Sequence, residues 1–309
     1  MSDSEFDLIH ACFRSKARIF YDTTEVGNGD DASVHHIPDG YRLVVSTDSA
    51  VAGVHWPHDF PLSDAADRAV CAALSDLAAM GALARWAWVS VMADGRDTLL
   101  SMGEGIADAL NRHRVELAGG DTVKSPLSAL NITVAGVIEE GLAMQRHQAK
   151  AGDEVWLVGD LGRSSLGLKQ WFSGDKQGAF VPFFQHIQPQ LSAGRALIQC
   201  GVRCCMDISD GLLQDAGHIC SASGVGMRLE LSLLPKWQEV VVLVGETETM
   251  KAMLSGGEDY ALLLTAPPHT EGLESIAKKI GVCQAGSGVT LLLHSVPLQY
   301  QAKGYDHFG

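Results

Sequence analysis

Positive charge is scarce in this chain. Lysine and arginine together number 23 against 37 acids, a formal net charge of -14 over 309 residues. Such a balance argues against nucleic acid or an anionic membrane surface as the main partner. It leaves open a small phosphorylated ligand held through metal ions. No apolar run reaches the roughly 20 residues that cross a bilayer. The opening MSDSEFDLIHACF has neither the basic start nor the apolar centre of a signal peptide. None of the seven cysteines forms a C-x-x-C pair, so neither a disulfide frame nor a zinc site is expected. A reduced, cytoplasmic protein fits best. The G-x-x-x-x-G-K-[ST] loop is absent, which excludes a P-loop enzyme. H-R-D and D-F-G are absent, which excludes a protein kinase. No G-x-G-x-x-G opens a helix after a strand, so a dinucleotide fold has no support.

What is present is a core and an alternation of strands and helices. With 46% hydrophobic residues the chain can fill one large domain or two ordinary ones. Apolar patterning predicts strands over 42–47, 86–92, 129–138, 154–158 and 261–265, and helices over 5–20, 65–80 and 97–111. Residues 115–118 read as a short extended piece, with Gly119-Gly120-Asp121-Thr122 turning sharply after it. A strand through Cys205, Met206 and Ile208 runs into a helix whose Leu212, Leu213, Ala216, Ile219 and Cys220 recur at helical spacing. The connector at 147–153 sets an expected boundary between domains 1–147 and 148–309. The fold class is therefore α/β (α+β) with two domains.

The acids carry the chemistry. Asp30, Asp31, Asp48, Asp76, Asp121, Asp207, Asp210 and Glu258 mostly follow a strand or flank a glycine. One such residue is often a turn former or a helix cap. Capping accounts well for Asp210, but Asp207 falls inside an apolar run. Asp76 lies near the C-terminal, negative end of an apolar helix, where a carboxylate is disfavoured. It needs either a basic partner or a bound cation. If several of these acids met, each pair about 4 Å apart would repel by roughly 4 kcal/mol at an effective dielectric near 20. A few such pairs would cancel the ~5–15 kcal/mol that holds a domain folded. An oxygen-rich cluster without thiolate suits Mg²⁺ first and Mn²⁺ next, with phosphate completing the shell. His55 and His58 make a weak metal pair, and a single histidine against a phosphate or substrate is the better reading.

The ordered motifs Gly29-Asp30-Asp31-Ala32, Ser46-Thr47-Asp48 with Val51-Ala52-Gly53-Val54-His55, and Leu74-Ser75-Asp76-Leu77 resemble one family. Gly119-Gly120-Asp121-Thr122, Asp207-Ile208-Ser209-Asp210-Gly211, Ser255-Gly256-Gly257-Glu258-Asp259-Tyr260 and Gly304-Tyr305-Asp306-His307-Phe308 extend the likeness nearly end to end. The chain resembles the thiamine-monophosphate kinases of the aminoimidazole-ribonucleotide-synthetase-like superfamily. That resemblance implies an N-terminal domain for metal, ATP and dimerisation, whose sheets pair in a homodimer, and a C-terminal α/β domain. It implies transfer of the ATP γ-phosphoryl group to thiamine monophosphate. Asp31, Ser46, Thr47, Asp48, Asp76, Asp121, Asp207 and Asp210 would hold several Mg²⁺ ions. Gly120, Asp121, Arg146 and Ser209 would contact ATP, with Asp210 and Arg146 the residues on which turnover depends. His55 and Glu258 would face the thiamine phosphate. Two positions depart from the family pattern: Ala302 stands where an aromatic residue is common, and Lys124 where arginine is common. The alternatives are a sibling that uses ATP on a carbonyl or selenide, where Cys12 is the cysteine to examine, and a non-catalytic metal- or nucleotide-binding protein.

Overall fold

The computed structural model describes residues 9–300. The tail motif at 304–308 and Ala302 lie outside that range. Two compact units emerge. The first comprises residues up to Leu77 together with Ala82–Gly141; the second comprises Ala78–Gly81 and everything from Leu142 onward. The division after Gly141 falls ahead of the 147–148 boundary read from the sequence.

The first unit opens on a short antiparallel pair, β1 (Thr24–Val26) and β2 (Val34–His35). There follow β3 (Tyr41–Val51), α1 (Leu62–Met80), β4 (Leu83–Ala93), α2 (Arg96–Arg112), β5 (Glu116–Lys124) and β6 (Ala129–Glu139). The last four strands form one sheet in the order β3-β6-β4-β5, with β4 and β5 parallel and the other pairs antiparallel. Helix α1 is alanine- and leucine-rich and buried along most of its length, as its all-round apolarity predicts. Asp67 on α1 accepts the guanidinium of Arg112 at 2.6 Å, which fastens α1 to α2.

Three expectations need correction here. Strand β3 does not end at Asp48 but runs on to Val51, because its ladder with β6 continues to the Val51–Ala129 pair. Gly119-Gly120-Asp121-Thr122 is not a turn. It lies within β5, paired in parallel with Trp88–Val91 of β4. The glycines serve close packing there: a Cβ on Gly120 would sit 2.1 Å from the Val89 carbonyl oxygen. Among the described residues the first helix ends at Arg14, short of the expected residue 20. The chain beyond it is tied down instead by buried Glu116, whose carboxylate accepts the N–H groups of Phe20 and Tyr21.

The second unit contains β7 (Glu154–Val158), α3 (Arg163–Phe172), α4 (Val181–Gln185), α5 (Leu191–Gln199), β8 (Cys204–Ile208) and α6 (Leu212–Ser223). It continues with β9 (Gly226–Glu230), α7 (Trp237–Val244), α8 (Glu246–Ser255), β10 (Ala261–Ala266), β11 (Lys278–Gln284), β12 (Gly288–Leu293) and β13 (Val296–Leu298). Its seven strands stand in the order β13-β12-β9-β11-β7-β10-β8. Strand β10, ALLLTA, is buried at every position, the pattern of a strand covered on both faces. Its antiparallel neighbour β8 is equally buried, and Asp207 interrupts an otherwise apolar row there, opposite Leu262.

Candidate active site

In the first unit the acids are placed by strand alternation. Residues 44, 46 and 48 of β3 share one face, and on that face the Ser46 hydroxyl donates to the Asp76 carboxylate of α1. Asp76 is half-buried rather than enclosed. Asp48 lies two residues along the same face. Thr47 points the other way, its hydroxyl 3.1 Å from that of Thr133, so it can join a cation on the Ser46 face only through its backbone carbonyl. Asp121 is exposed on β5 and accepts the N–H of Thr122 at 2.9 Å. A cleft of about 140 Å³ runs beside Gly119–Thr122, with Ile9, Phe13, Val89 and Leu117 as its apolar wall. Asp31 is exposed in the turn before β2, its N–H bonded to the Asp30 carboxylate, which gives Asp30 a structural task. At the far end of β3, the Val51 N–H donates to His55 Nδ1 at 3.1 Å. That bond makes Nδ1 the acceptor and leaves the proton of the neutral ring on Nε2.

In the second unit the acids predicted from the sequence gather around one loop. Strand β8 ends at Ile208, the chain passes through Ser209, Asp210 and Gly211, and α6 begins at Leu212. Gly211 has φ +114°, and a Cβ there would meet the Leu254 carbonyl oxygen at 2.8 Å, so the turn requires glycine. Asp207 is nearly enclosed, while Ser209 and Asp210 are half-buried. The expected cap role of Asp210 does not hold. Its carboxylate accepts Gln214 Nε2 at 3.0 Å, and the free N–H groups of the loop are met by Asp215 instead. A second loop lies alongside. The Glu258 N–H donates to the Ser209 carbonyl at 2.8 Å and the Tyr260 N–H to the Ile208 carbonyl at 2.9 Å. Glu258 itself sits at φ +65°, a left-handed conformation uncommon for a non-glycine residue. Asp259 beside it accepts the N–H groups of Gly162 and Ser164 at 2.7 and 3.1 Å, which caps α3 from a distance. Asp259 thus holds both the turn at Gly162 and the first turn of α3. Arg146 is exposed, and its carbonyl accepts the Ser223 hydroxyl at 2.9 Å.

Among the described residues, no lysine, arginine or histidine forms an ion pair with Asp31, Asp121 or Asp210. The set is built of carboxylates and hydroxyls without thiolate, the donor chemistry of a hard divalent cation.

The comparisons with known proteins now decide the family. The AIR synthase related protein N-terminal domain matches residues 29–138, and the corresponding C-terminal domain matches residues 150–289. Thiamine-monophosphate kinase of Salmonella typhimurium is 34% identical over all of this chain and 99% of its own. The Escherichia coli K12 protein of that name is also 34% identical over the same shares. The chain belongs to the thiamine-monophosphate kinases. Among solved structures, thiamine-monophosphate kinase from Stenotrophomonas maltophilia superposes with a TM-score of 0.84 at 29% identity, over 96% of this chain and 99% of that one. A structure described as AaThiL complexed with AMPPCP and TMP superposes with a TM-score of 0.79 at 25% identity, over 98% and 97%. The E. coli hydrogenase maturation protein HypE shares the fold, with a TM-score of 0.72 at 19% identity.

The chain carries the acids that its sequence singled out. It also holds a residue that sequence reasoning passed over, Asp215. The signal was available. Asp215 is an acid beside the apolar stripe Leu212, Ala216, Ile219, and only 1% of it is exposed. Burial pushes its carboxyl up to about 7, against the lowering effect of the N–H groups it accepts. Cys12 is fully buried and its thiol is pushed up by burial, the opposite of what a reactive thiolate needs.

Proposed function

We propose that this chain transfers the γ-phosphoryl group of ATP to thiamine monophosphate, giving thiamine diphosphate and ADP. The observation that carries the reading is the hard-oxygen donor set, Asp31, Ser46, Asp48, Asp76, Asp121, Asp207 and Asp210, in a chain that aligns with its relatives over its whole length. These residues fit Mg²⁺ and would hold it, with Thr47 contributing its backbone. Bound Mg²⁺ would screen the repulsion between two polyanionic substrates and neutralise charge on the transferring group.

The remaining work falls to the chain itself. Gly120 and Asp121 border the cleft in the first unit and are assigned to ATP, together with Ser209 and Arg146. An exposed guanidinium such as that of Arg146 can form a paired, charge-assisted contact with a phosphate. His55, with its proton on Nε2, is set to donate to the phosphate of the acceptor. Glu258 supplies negative charge for the cationic ring of thiamine. No general base is assigned, because a phosphate monoester with a second pKa near 6 is already largely ionised at neutral pH. We further propose a cytoplasmic homodimer formed through the first unit's sheet. Strand β3 is an edge strand of 11 residues whose outer face exposes Leu43 and Val45.

Incubation with ATP, Mg²⁺ and thiamine monophosphate, followed by separation of thiamine phosphates, tests the activity directly. Thiamine diphosphate appearing in step with ADP is the expected result. ATP binding without any product would instead favour a binding protein.

A further inference from the structure

We propose that Asp215 is a positioning residue for phosphoryl transfer: from inside α6 its carboxylate holds the backbone of Ser209 and Asp210 and so fixes where those two side chains stand. The inference rests on the assignment of Ser209 to ATP and of Asp210 to the cation. A helix cap ordinarily sits before the helix and satisfies N–H groups within its first turn. Asp215 does the reverse. It belongs to the helix, one turn in, and its side chain leans back toward the N-terminus, as helical side chains do. One oxygen, Oδ2, accepts the N–H of Ser209 and the N–H of Asp210, both at 3.1 Å. Both donors precede the helix, so the carboxylate fixes the loop rather than the helix.

The loop is clamped from two sides. Asp215 holds its N–H groups, while the Glu258 and Tyr260 N–H groups hold the Ser209 and Ile208 carbonyls. Gln214, the neighbour of Asp215, holds the Asp210 carboxylate. Backbone and side chain of Asp210 are thus both set by the first turn of α6. An apolar residue would suit the 1% exposure of position 215 better than a carboxylate does. The two N–H bonds are what the carboxylate adds.

The test uses the full chain as wild type, Asp215→Ala, Asp215→Asn, and Asp215→Ala combined with Asp210→Asn. Three quantities are read: amide hydrogen exchange at Ser209 and Asp210, Mn²⁺ binding by electron paramagnetic resonance with a non-hydrolysable ATP analogue present, and kcat with KM for both substrates. Asp215→Ala is expected to speed exchange at both amides and to weaken Mn²⁺ binding or lower kcat by about 10–100-fold, the usual range for losing a group that orients a ligand. Asp215→Asn keeps a carbonyl oxygen able to accept both bonds and should fall between wild type and Ala. In the Asp210→Asn background, adding Asp215→Ala should cause little further loss of Mn²⁺ binding, the part that passes through Asp210, while KM for ATP, which passes through Ser209, should still rise. Faster exchange with unchanged Mn²⁺ binding and kcat would reduce Asp215 to a structural cap and overturn the proposal. An Asn variant as impaired as Ala would overturn it too, since the charge would then matter and not the acceptor. If the Ala variant does not fold, the Asn variant decides alone: near wild-type protection and metal binding support the proposal, and the full 10–100-fold loss ends it. A wild type that neither makes product nor binds Mn²⁺ sinks the functional reading separately.

Discussion

A carboxylate beside a helix start is favoured by the helix dipole whether or not anything binds there. Asp210 is informative for that reason. Its N–H and its side chain are held by Asp215 and Gln214, and the cap role expected of it is filled elsewhere. Asp210→Asn should leave the fold intact and lower kcat by about 100-fold or more, the scale of removing one electrostatic stabiliser. Steady-state kinetics across Mg²⁺ concentrations, beside a melting curve, check this; ordinary rates at limiting Mg²⁺ would refute the role. A second residue reports on pH. Burial, and then the positive charge of Arg112, lower the pKa of His113 below 6.5. The folded state keeps the ring neutral while the unfolded chain takes up a proton near pH 6.5, so stability falls as pH drops from there toward the folded-state value. Denaturant titrations of wild type and His113→Gln at pH 7.5 and 5.5 should show the wild type losing more stability on acidification. Equal losses would show that the imidazole does not govern this window.

Among elements, the joins matter more than the strands and helices themselves. Asp259 ties the Glu258 loop to the start of α3 and meets the N–H groups of Gly162 and Ser164, for which α3 has no cap of its own. Asp259→Ala should cost about 1 kcal/mol in stability, as lost caps do. It should also raise KM for thiamine monophosphate more than KM for ATP, because Glu258 is held in a left-handed conformation that the loop must enforce. A calorimetric melt together with both KM values would decide this, and equal changes in the two would show that the loop does not serve the acceptor. The same dependence on neighbours explains β5. Glycines that read as a turn in isolation become a strand because β4 offers a parallel partner and leaves no room for a Cβ at Gly120. Asp48 changed from a strand end to a strand interior for a similar reason: its ladder with β6 goes on three residues further, to Val51.

At the scale of the molecule, the outer face of β3 is the place to look for self-association. Val45→Lys puts a charge beside Leu43 on an exposed apolar edge and should turn a dimer into a 32.9 kDa monomer in analytical ultracentrifugation. A wild type that already sediments as a monomer would remove the dimer from the picture. The sequence by itself determined β3, β4, β6, β7, β8 and β10 and the helices α1, α2 and α6, because periods of 2 and 3.6 residues are properties of local chain geometry, while β9 and β11–β13 were not legible in it. It also singled out the acids proposed here as ligands, since their placement after strands and beside glycine is written in one dimension. It could not say which carboxylate caps and which is left to bind. Asp210 and Asp215 are both acids near one helix start, and only the folded backbone shows the N–H groups of the loop turned toward Asp215. Nor could it set the Thr47 hydroxyl against that of Thr133, or stretch Gly119–Thr122 into a strand, because hydrogen-bond partners and close contacts come from segments distant in the chain.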